Sequence, residues 1–199
     1  RKHYNAIKTD LQATGLVQNA SLSNSRIIQL GSNTADFQWE GKDPNKQVLI
    51  TIEGVSPEYI STLGMKLKSG RDFYPDIQSD SNNIIINETL AKIINKKDII
   101  GTVLDWGGRK ITVVGVVNDF IYNDMYSTSA PLIMGADTSN TNWMTIRFNK
   151  GTDLAAAIPA VEKVIKSYNP GYPFEYRFVD AEFDKIFKTE TLIGKLAGI

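Results

Sequence analysis

Along the first fourteen residues the apolar positions fall at Tyr4, Ile7 and Leu11, three or four apart. That spacing predicts a helix over Lys2 to Thr14 with one buried stripe, ended by Gly15. A strand is expected near Leu16 to Leu22, followed by polar, turn-rich stretches at Ser21 to Ser25 and Gly31 to Asp36. Phe37 to Glu40 and Gln47 to Glu53 read as two strands, joined as a hairpin by Gly41-Lys42-Asp43-Pro44-Asn45. In the second of these, Val48, Ile50 and Ile52 alternate with Leu49, Thr51 and Glu53, a pattern of mixed burial.

Ser56-Pro57-Glu58 has the composition of a helix start, with Ser accepting from an orphan N–H, and Gly64 stops that short helix. Met65 to Leu67 is extended. Ile84-Ile85-Ile86 is a buried strand, and Asn87 caps a helix whose apolar face is Leu90, Ala91, Ile93 and Ile94. Thr102 to Trp106 and Lys110 to Val117 form a hairpin turned by Gly107-Gly108. Pro131 to Gly135 and Trp143 to Phe148 are further strands. A long helix capped by Thr152 or Asp153 runs to Tyr168, with Pro159 kinking it or resetting its first turn. Phe174 to Val179 reads as the last strand. Asp180 caps a final helix with Phe183, Ile186, Phe187, Ile193 and Leu196 on one side. The order of elements is that of an α+β protein with mixed sheets and two subdomains.

Composition narrows the functional classes. Apolar residues make up 42% of the 199, enough for a core. Basic and acidic residues balance at 22 each, so the basic excess of a general nucleic-acid binder is missing, and Arg1-Lys2 and Lys96-Lys97 are ordinary surface pairs. There is no Cys, which excludes thiol catalysis, a disulfide framework and Cys-type zinc. His3 is the one imidazole, too few for a triad or a multi-His metal site. No apolar run reaches the roughly 20 residues of a membrane span. The start at Arg1 and the apolar ending Leu196-Ala197-Gly198-Ile199 suggest a fragment trimmed at both ends.

The individual motifs have structural readings. Gly70 supplies a positive φ ahead of Arg71, which can pair with Asp72, Asp76 or Asp80 as a surface pair worth under about 1 kcal/mol. Gly115, inside a strand, marks a bulge or a close backbone approach. Gly107-Gly108-Arg109-Lys110 is a hairpin turn with no helix N-terminus behind it to hold phosphate. Trp39, Trp106 and Trp143 are spread along the chain as core or lobe-interface residues.

Four stretches together resemble the MacB-like periplasmic core domain of FtsX-type ABC-transporter permeases, in the form common in Bacteroidetes. They are Tyr59 to Phe73, Asn82 to Ala91, Ile111 to Phe120 with Pro131 following, and Phe174 to Leu196. The resemblance covers the chain from about residue 37 onward, and one departure is Ile121, where many relatives place His. It implies two lobes. A porter-like, βαβ-type membrane-proximal lobe takes residues 1–30 and 111–199, and an inserted mixed α/β lobe takes 31–110. It also implies an inner-membrane protein with this domain in the periplasm. The implied partners are a cytoplasmic nucleotide-binding subunit and a second permease domain, with a periplasmic adaptor and an outer-membrane channel in some relatives. The first and last helices would be the levers to the membrane.

Catalysis has little support in the residues themselves. Asp105, Asp119, Asp124 and the pair Asp76/Asp80 sit in capping and turn contexts, and no Ser occupies a Gly-x-Ser-x-Gly elbow. No catalytic, cofactor-binding or metal residue is assigned. The expected role is transmission of movement for export or extraction of a substrate. The alternative is a periplasmic sensor of a small ligand, which requires an aromatic-lined pocket with convergent polar groups.

Overall fold

Strand pairing gathers ten short strands into one mixed sheet. The computed structural model describes residues 3–120 and 129–184. The chain order is α1 (Tyr4–Ala13), β1 (Val17–Ser23), β2 (Ser32–Thr34), β3 (Phe37–Trp39), β4 (Ile50–Val55), α2 (Tyr59–Leu63) and β5 (Leu67–Gly70). A single 3-10 turn (Ile77–Asp80) precedes β6 (Asn83–Asn87), α3 (Glu88–Ile94), β7 (Val103–Trp106), β8 (Arg109–Val117), β9 (Leu132–Ala136), β10 (Trp143–Phe148) and α4 (Leu154–Tyr168). The sheet runs β10-β1-β4-β9-β6-β8-β7-β3, with β2 on β4 and β5 on β8. β4/β9 and β6/β8 are parallel and the remaining pairs antiparallel. The α+β class expected from element order is what the chain adopts, with one continuous sheet in place of several.

Burial follows the pleat. Ile84 and Ile86 of β6 enter one apolar cluster, with Phe37, Trp39, Ile50, Leu104 and the α3 residues Leu90 and Ile94. Ile85, pointing the other way, joins a second cluster with Val55, Leu132, Met134 and the α2 residues Tyr59 and Ile60. β6 is therefore apolar on both faces, as a strand between two layers must be. A third cluster lies under α1 and α4, where Ile7 and Leu11 meet Val17, Ala20 and Val161. Each such side chain contributes about 1.5–3 kcal/mol on burial.

Local signals place several of these elements. Asn87 Oδ1 accepts from Leu90 N–H at 3.1 Å, the expected cap, and also from Leu132 N–H at 3.0 Å, while Asn87 Nδ2 donates to Ala130 O at 2.9 Å. One side chain thus starts α3 and ties it to β9. Asp153 caps α4 through Ala155 N–H, and the helix continues through Pro159. Gly115 lies at a break in the β6–β8 register, where Ile84↔Val113 is followed by Ile85↔Gly115. A Cβ there would stand 2.3 Å from Arg71 O, and one at Gly70 would stand 2.2 Å from Val114 O. The bulge and the close approach read from the sequence are both present.

Some expectations are overturned. The hairpin of 37–40 with 47–53 does not form: β3 pairs with β7, through Phe37↔Trp106, Gln38↔Asp105 and Trp39↔Leu104. Phe37 and Trp39 share the cluster of Leu104 and Ile111, so the free edge of β7 is where that face is buried. Residues 173–178 form no ladder. The rings of Phe174, Tyr176 and Phe178 contact one another in series at 5.7 and 5.5 Å, and only Phe174 reaches a core cluster. The following helical stretch, 179–184, already contains Asp180, which therefore does not precede it as a cap. Arg1, Lys2, Ile121, Asp124, Ile186, Phe187, Ile193, Leu196 and the closing residues lie outside the described residues.

Candidate functional site

The sheet has its shortest ladder at one seam. β1 runs along β10 from Val17↔Phe148 to Ser23↔Trp143, yet it meets β4 through the single pair Ser23↔Val55. On one side of the seam are α1, β1, β10 and α4; on the other are the remaining strands with α2 and α3. β8 and β9 pair with β4, β5, β6 and β7, so residues 109–117 and 132–136 are hydrogen-bonded into strands drawn from 50–106.

Polar groups bridge this seam. Leu22 N–H donates to Ser56 Oγ at 3.0 Å, and Ser56 N–H donates to Leu22 O at 2.9 Å. Ser56 thus serves β1 and not the start of α2, which has no side-chain cap, contrary to the sequence reading. Asn24 N–H donates to Gly54 O at 3.0 Å, Gly54 N–H donates to Asn24 Oδ1 at 3.1 Å, and Ser25 N–H donates to Glu53 Oε1 at 2.7 Å. Asn19 Nδ2 donates to Ser61 Oγ of α2 at 3.0 Å, and Arg147 of β10 donates to Thr62 O. The Tyr4 hydroxyl of α1 donates to Ala20 O at 2.8 Å and lies 3.0 Å from Glu58 Oε2 and 3.3 Å from Ser56 Oγ. Lys8 pairs with Glu58.

Ala20 packs under α1 and α4, so alternation turns Ser21 and Ser23 to the opposite face, toward α2. That face is buried and incompletely satisfied. Ser21 Oγ, Glu53 Oε2, Tyr59 OH and Thr62 Oγ1 are buried without a protein partner, and they are the side-chain atoms of that kind among the described residues. All four belong to β1, β4 or α2. Each unmade bond costs about 1–3 kcal/mol relative to a satisfied one.

The charges at the seam differ in kind. Burial alone would raise Glu58, but Lys8 and the Tyr4 hydroxyl outweigh it and hold the carboxyl below its ordinary value. Burial pushes Glu53 up to about 7, offset only in part by hydrogen bonds from Ser25 and Asn24. Burial, and then the nearby Glu53, push the Tyr59 phenol up as well. Nothing in composition singled out Glu53. The signal available was an acidic residue inside the apolar run Val48 to Val55, where Leu49 turns out to be the exposed member.

The other candidate residues do not converge. Asp119 accepts from Thr89 N–H and Oγ1, both at 2.9 Å; Asp105 serves Lys110 and Gly108 N–H; Asp76 caps the 3-10 turn. Arg71 selects Asp80, but not as a surface pair. The Asp80 side chain is fully buried and accepts from Arg71 Nη2 at 2.7 Å, Arg71 Nη1 at 3.1 Å, Tyr74 N–H at 2.6 Å and Asn83 Nδ2 at 2.8 Å. Burial alone would raise its pKa, yet these donors hold it below the ordinary value. Trp39 is a core residue, whereas Trp106 and Trp143 are exposed, the first against the Phe37 ring and the second under the Arg26 guanidinium. An open cavity of roughly 420 Å³ is lined by Glu40, Lys96, Asp98 and residues 100–103, with no aromatic ring and with Glu40 and Lys96 already paired. No group of three or more His, Cys, Asp or Glu among the described residues is placed to hold a metal ion, and no described helix is long and apolar enough to cross a membrane.

Residues 5–164 match the family model described as "MacB-like periplasmic core domain". The chain is 25% identical over 135 residues to the macrolide export ATP-binding/permease protein MacB of Neisseria gonorrhoeae, and 27% identical over 123 residues to its namesake in Neisseria meningitidis. These alignments take in 62% and 56% of this chain but 21% and 19% of the relatives, so it spans about a fifth of their length. In structure it is similar to the periplasmic region of MacB from Actinobacillus actinomycetemcomitans, with a TM-score of 0.63 at 15% identity, over 92% of this chain and 81% of that one. It is also similar to the extracellular domain of the noncanonic ABC-type transporter YknZ from Gram-positive bacteria, with a TM-score of 0.59 at 14% identity, over 83% of each chain. A domain of a putative permease from Porphyromonas gingivalis gives 0.54 at 19% identity, over 80% of this chain and 68% of that one.

Proposed function

Because this chain belongs to the family of MacB-like periplasmic core domains of ABC-transporter permeases, we propose that it passes movement from the membrane helices of its permease to a substrate or partner outside the cytoplasm, and that the seam between β1 and β4 is where it bends. In this reading, ATP binding and hydrolysis in a cytoplasmic nucleotide-binding part rearrange the membrane helices. The domain, in the periplasm, is driven by them. A second permease domain and, where present, a periplasmic adaptor and an outer-membrane channel receive the motion. Export or extraction of a substrate is the outcome.

The observation that carries this reading is the seam itself. Two apolar bodies, one held by a single cluster and the other by two, are joined by one ladder pair and a set of buried polar groups, four of them unpartnered. Packed cores do not deform continuously, so displacement concentrates where contacts are few and polar. The two-lobe division belongs to the same proposal. The outline of 1–30 with 111–199 against 31–110 follows chain order. We draw the line at the seam instead, which leaves β8 and β9 with the inserted lobe because their ladders run there. No aromatic-lined pocket favours the sensor alternative among the described residues.

A disulfide across the seam tests the bend. Asn19 and Ser61 touch through their side chains at 3.0 Å, and the chain has no Cys to interfere. In the permease that carries this domain, the N19C/S61C pair when oxidised is expected to abolish transport while ATP hydrolysis continues, with recovery on reduction. Unimpaired transport by the fully oxidised protein overturns the proposal.

A further inference from the structure

We propose that Glu53 is a proton-operated latch on the seam: with its carboxyl neutral it holds the chain following β1 against β4, and with its carboxyl ionised the seam loosens. The inference rests on the reading of the seam as a joint and adds its regulation.

The geometry is specific. Glu53 is fully buried in β4, opposite Met134 of β9. Its Oε1 accepts from Ser25 N–H at 2.7 Å, two residues beyond the one ladder pair that joins β1 to β4. Its Oε2 has no protein partner. The groups facing it are Met134 from β9, the backbone at Asn24 and Ser25 from the β1 side, and the Tyr59 phenol from α2. Of these only Tyr59 titrates, and it stays neutral because burial and Glu53 both push its pKa up. Among the described residues no cation compensates Glu53: burial and the bonds from Ser25 and Asn24 govern its titration. The nearest chain neighbour of like charge, Glu58, is already committed to Lys8 and Tyr4.

A neutral carboxyl in this place keeps the Ser25 bond and buries no charge. An ionised one buries a charge with half its acceptor capacity empty, which is costly in a low-dielectric interior. Freeing the Ser25 segment from β4 lets water reach the carboxylate, and what resists that movement is one ladder pair, the two Asn24–Gly54 bonds and the Ser25 bond itself.

The sign follows from linkage. An acid whose folded pKa lies above its ordinary value binds protons more tightly when closed, so the closed seam loses stability as pH rises and keeps the loss above the folded pKa. With the ordinary value at 4.5 and the folded value at about 7, the window is pH 4.5 to about 7. Tenfold for each pH unit between them gives a rise of up to about 300-fold in the opening equilibrium.

The test uses this 199-residue chain. The carboxyl carbon of Glu53 is followed by NMR between pH 4 and 9, and hydrogen exchange of the Asn24, Ser25 and Ser56 amides is measured over the same range, corrected for intrinsic exchange. A titration midpoint near 7, with seam exchange rising through the same midpoint and E53Q abolishing the rise, is the expected result. A midpoint near 4.5, or seam exchange that does not follow the titration, overturns the latch. If E53Q does not fold, the two wild-type curves decide alone. Neither curve depends on transport, so failure here is distinct from failure of the disulfide test.

Discussion

Replacing Asp80 by Ala removes one side chain and takes an acceptor from two others and from a backbone amide. Asp80 receives four hydrogen bonds within a fully buried site, two from Arg71, one from Tyr74 N–H and one from Asn83. In D80A the Tyr74 amide loses its acceptor, and the Asn83 side chain keeps only Ser79 O at 3.5 Å. The Arg71 side chain, a third exposed, recovers part of its solvation. Breaking a buried pair from its buried side costs about 3–5 kcal/mol, and the partial exposure of Arg71 places the expected loss at the lower end, near 3 kcal/mol. For a chain of this length that lowers the melting temperature by about 6–12 °C. The reverse truncation, R71A, leaves a fully buried carboxylate with two neutral donors and no cation, so its loss is expected to be at least as large. Urea denaturation of wild type, D80A, R71A and the double variant measures all three quantities. Stability within about 1 kcal/mol of wild type in D80A or in R71A refutes the reasoning, because it would make the pair an ordinary surface contact. Since Asp80 titrates below its ordinary value, its contribution is present above the unfolded pKa and disappears as pH falls through the folded one, so the wild type and D80N converge in acid.

Two further outcomes follow from packing. G115A places a methyl 2.3 Å from Arg71 O and is expected to cost about 1–3 kcal/mol in urea, whereas G135A, with nothing within 4 Å of the added Cβ, is expected to stay within about 0.5 kcal/mol of wild type; equal effects would contradict the close-approach account. N87A removes a helix cap together with one tie to β9 and one to Ala130 just before it, so the expected loss of about 2–3 kcal/mol exceeds that of a cap alone, and a loss under about 1 kcal/mol would mean that these two ties contribute nothing.

Periodicity and punctuation were enough for most elements taken singly. Tyr4, Ile7 and Leu11 lie buried on one side of α1, Leu90 and Ile94 on one side of α3, and the caps at Asn87 and Asp153 are where short polar side chains precede an apolar run. These are local features, set by residues within one or two turns of each other. The order and spacing of four such stretches were also enough to carry the family resemblance, and the chain does belong to that family.

Partnership was not legible in the same way. Alternation makes Phe37 to Trp39 a strand but does not say whether the free edge beside it belongs to β4 or to β7, and the choice fell to the cluster that buries both rings. Ser56 has the chemistry of a helix cap and was taken by β1 instead. Asp80 became a buried acceptor only because the turn at 77–80 and the start of β5's return loop close around it. Glu53 and the seam lie furthest from the sequence. The amino-acid order by itself determines most of the short segments that are helix or strand and which family they compose, because those depend on neighbours a few residues away. Tertiary structure alone decides that β1 and β4 touch at a single pair with a buried carboxyl beside it, because that depends on how much surface each apolar cluster leaves uncovered when the bodies come together.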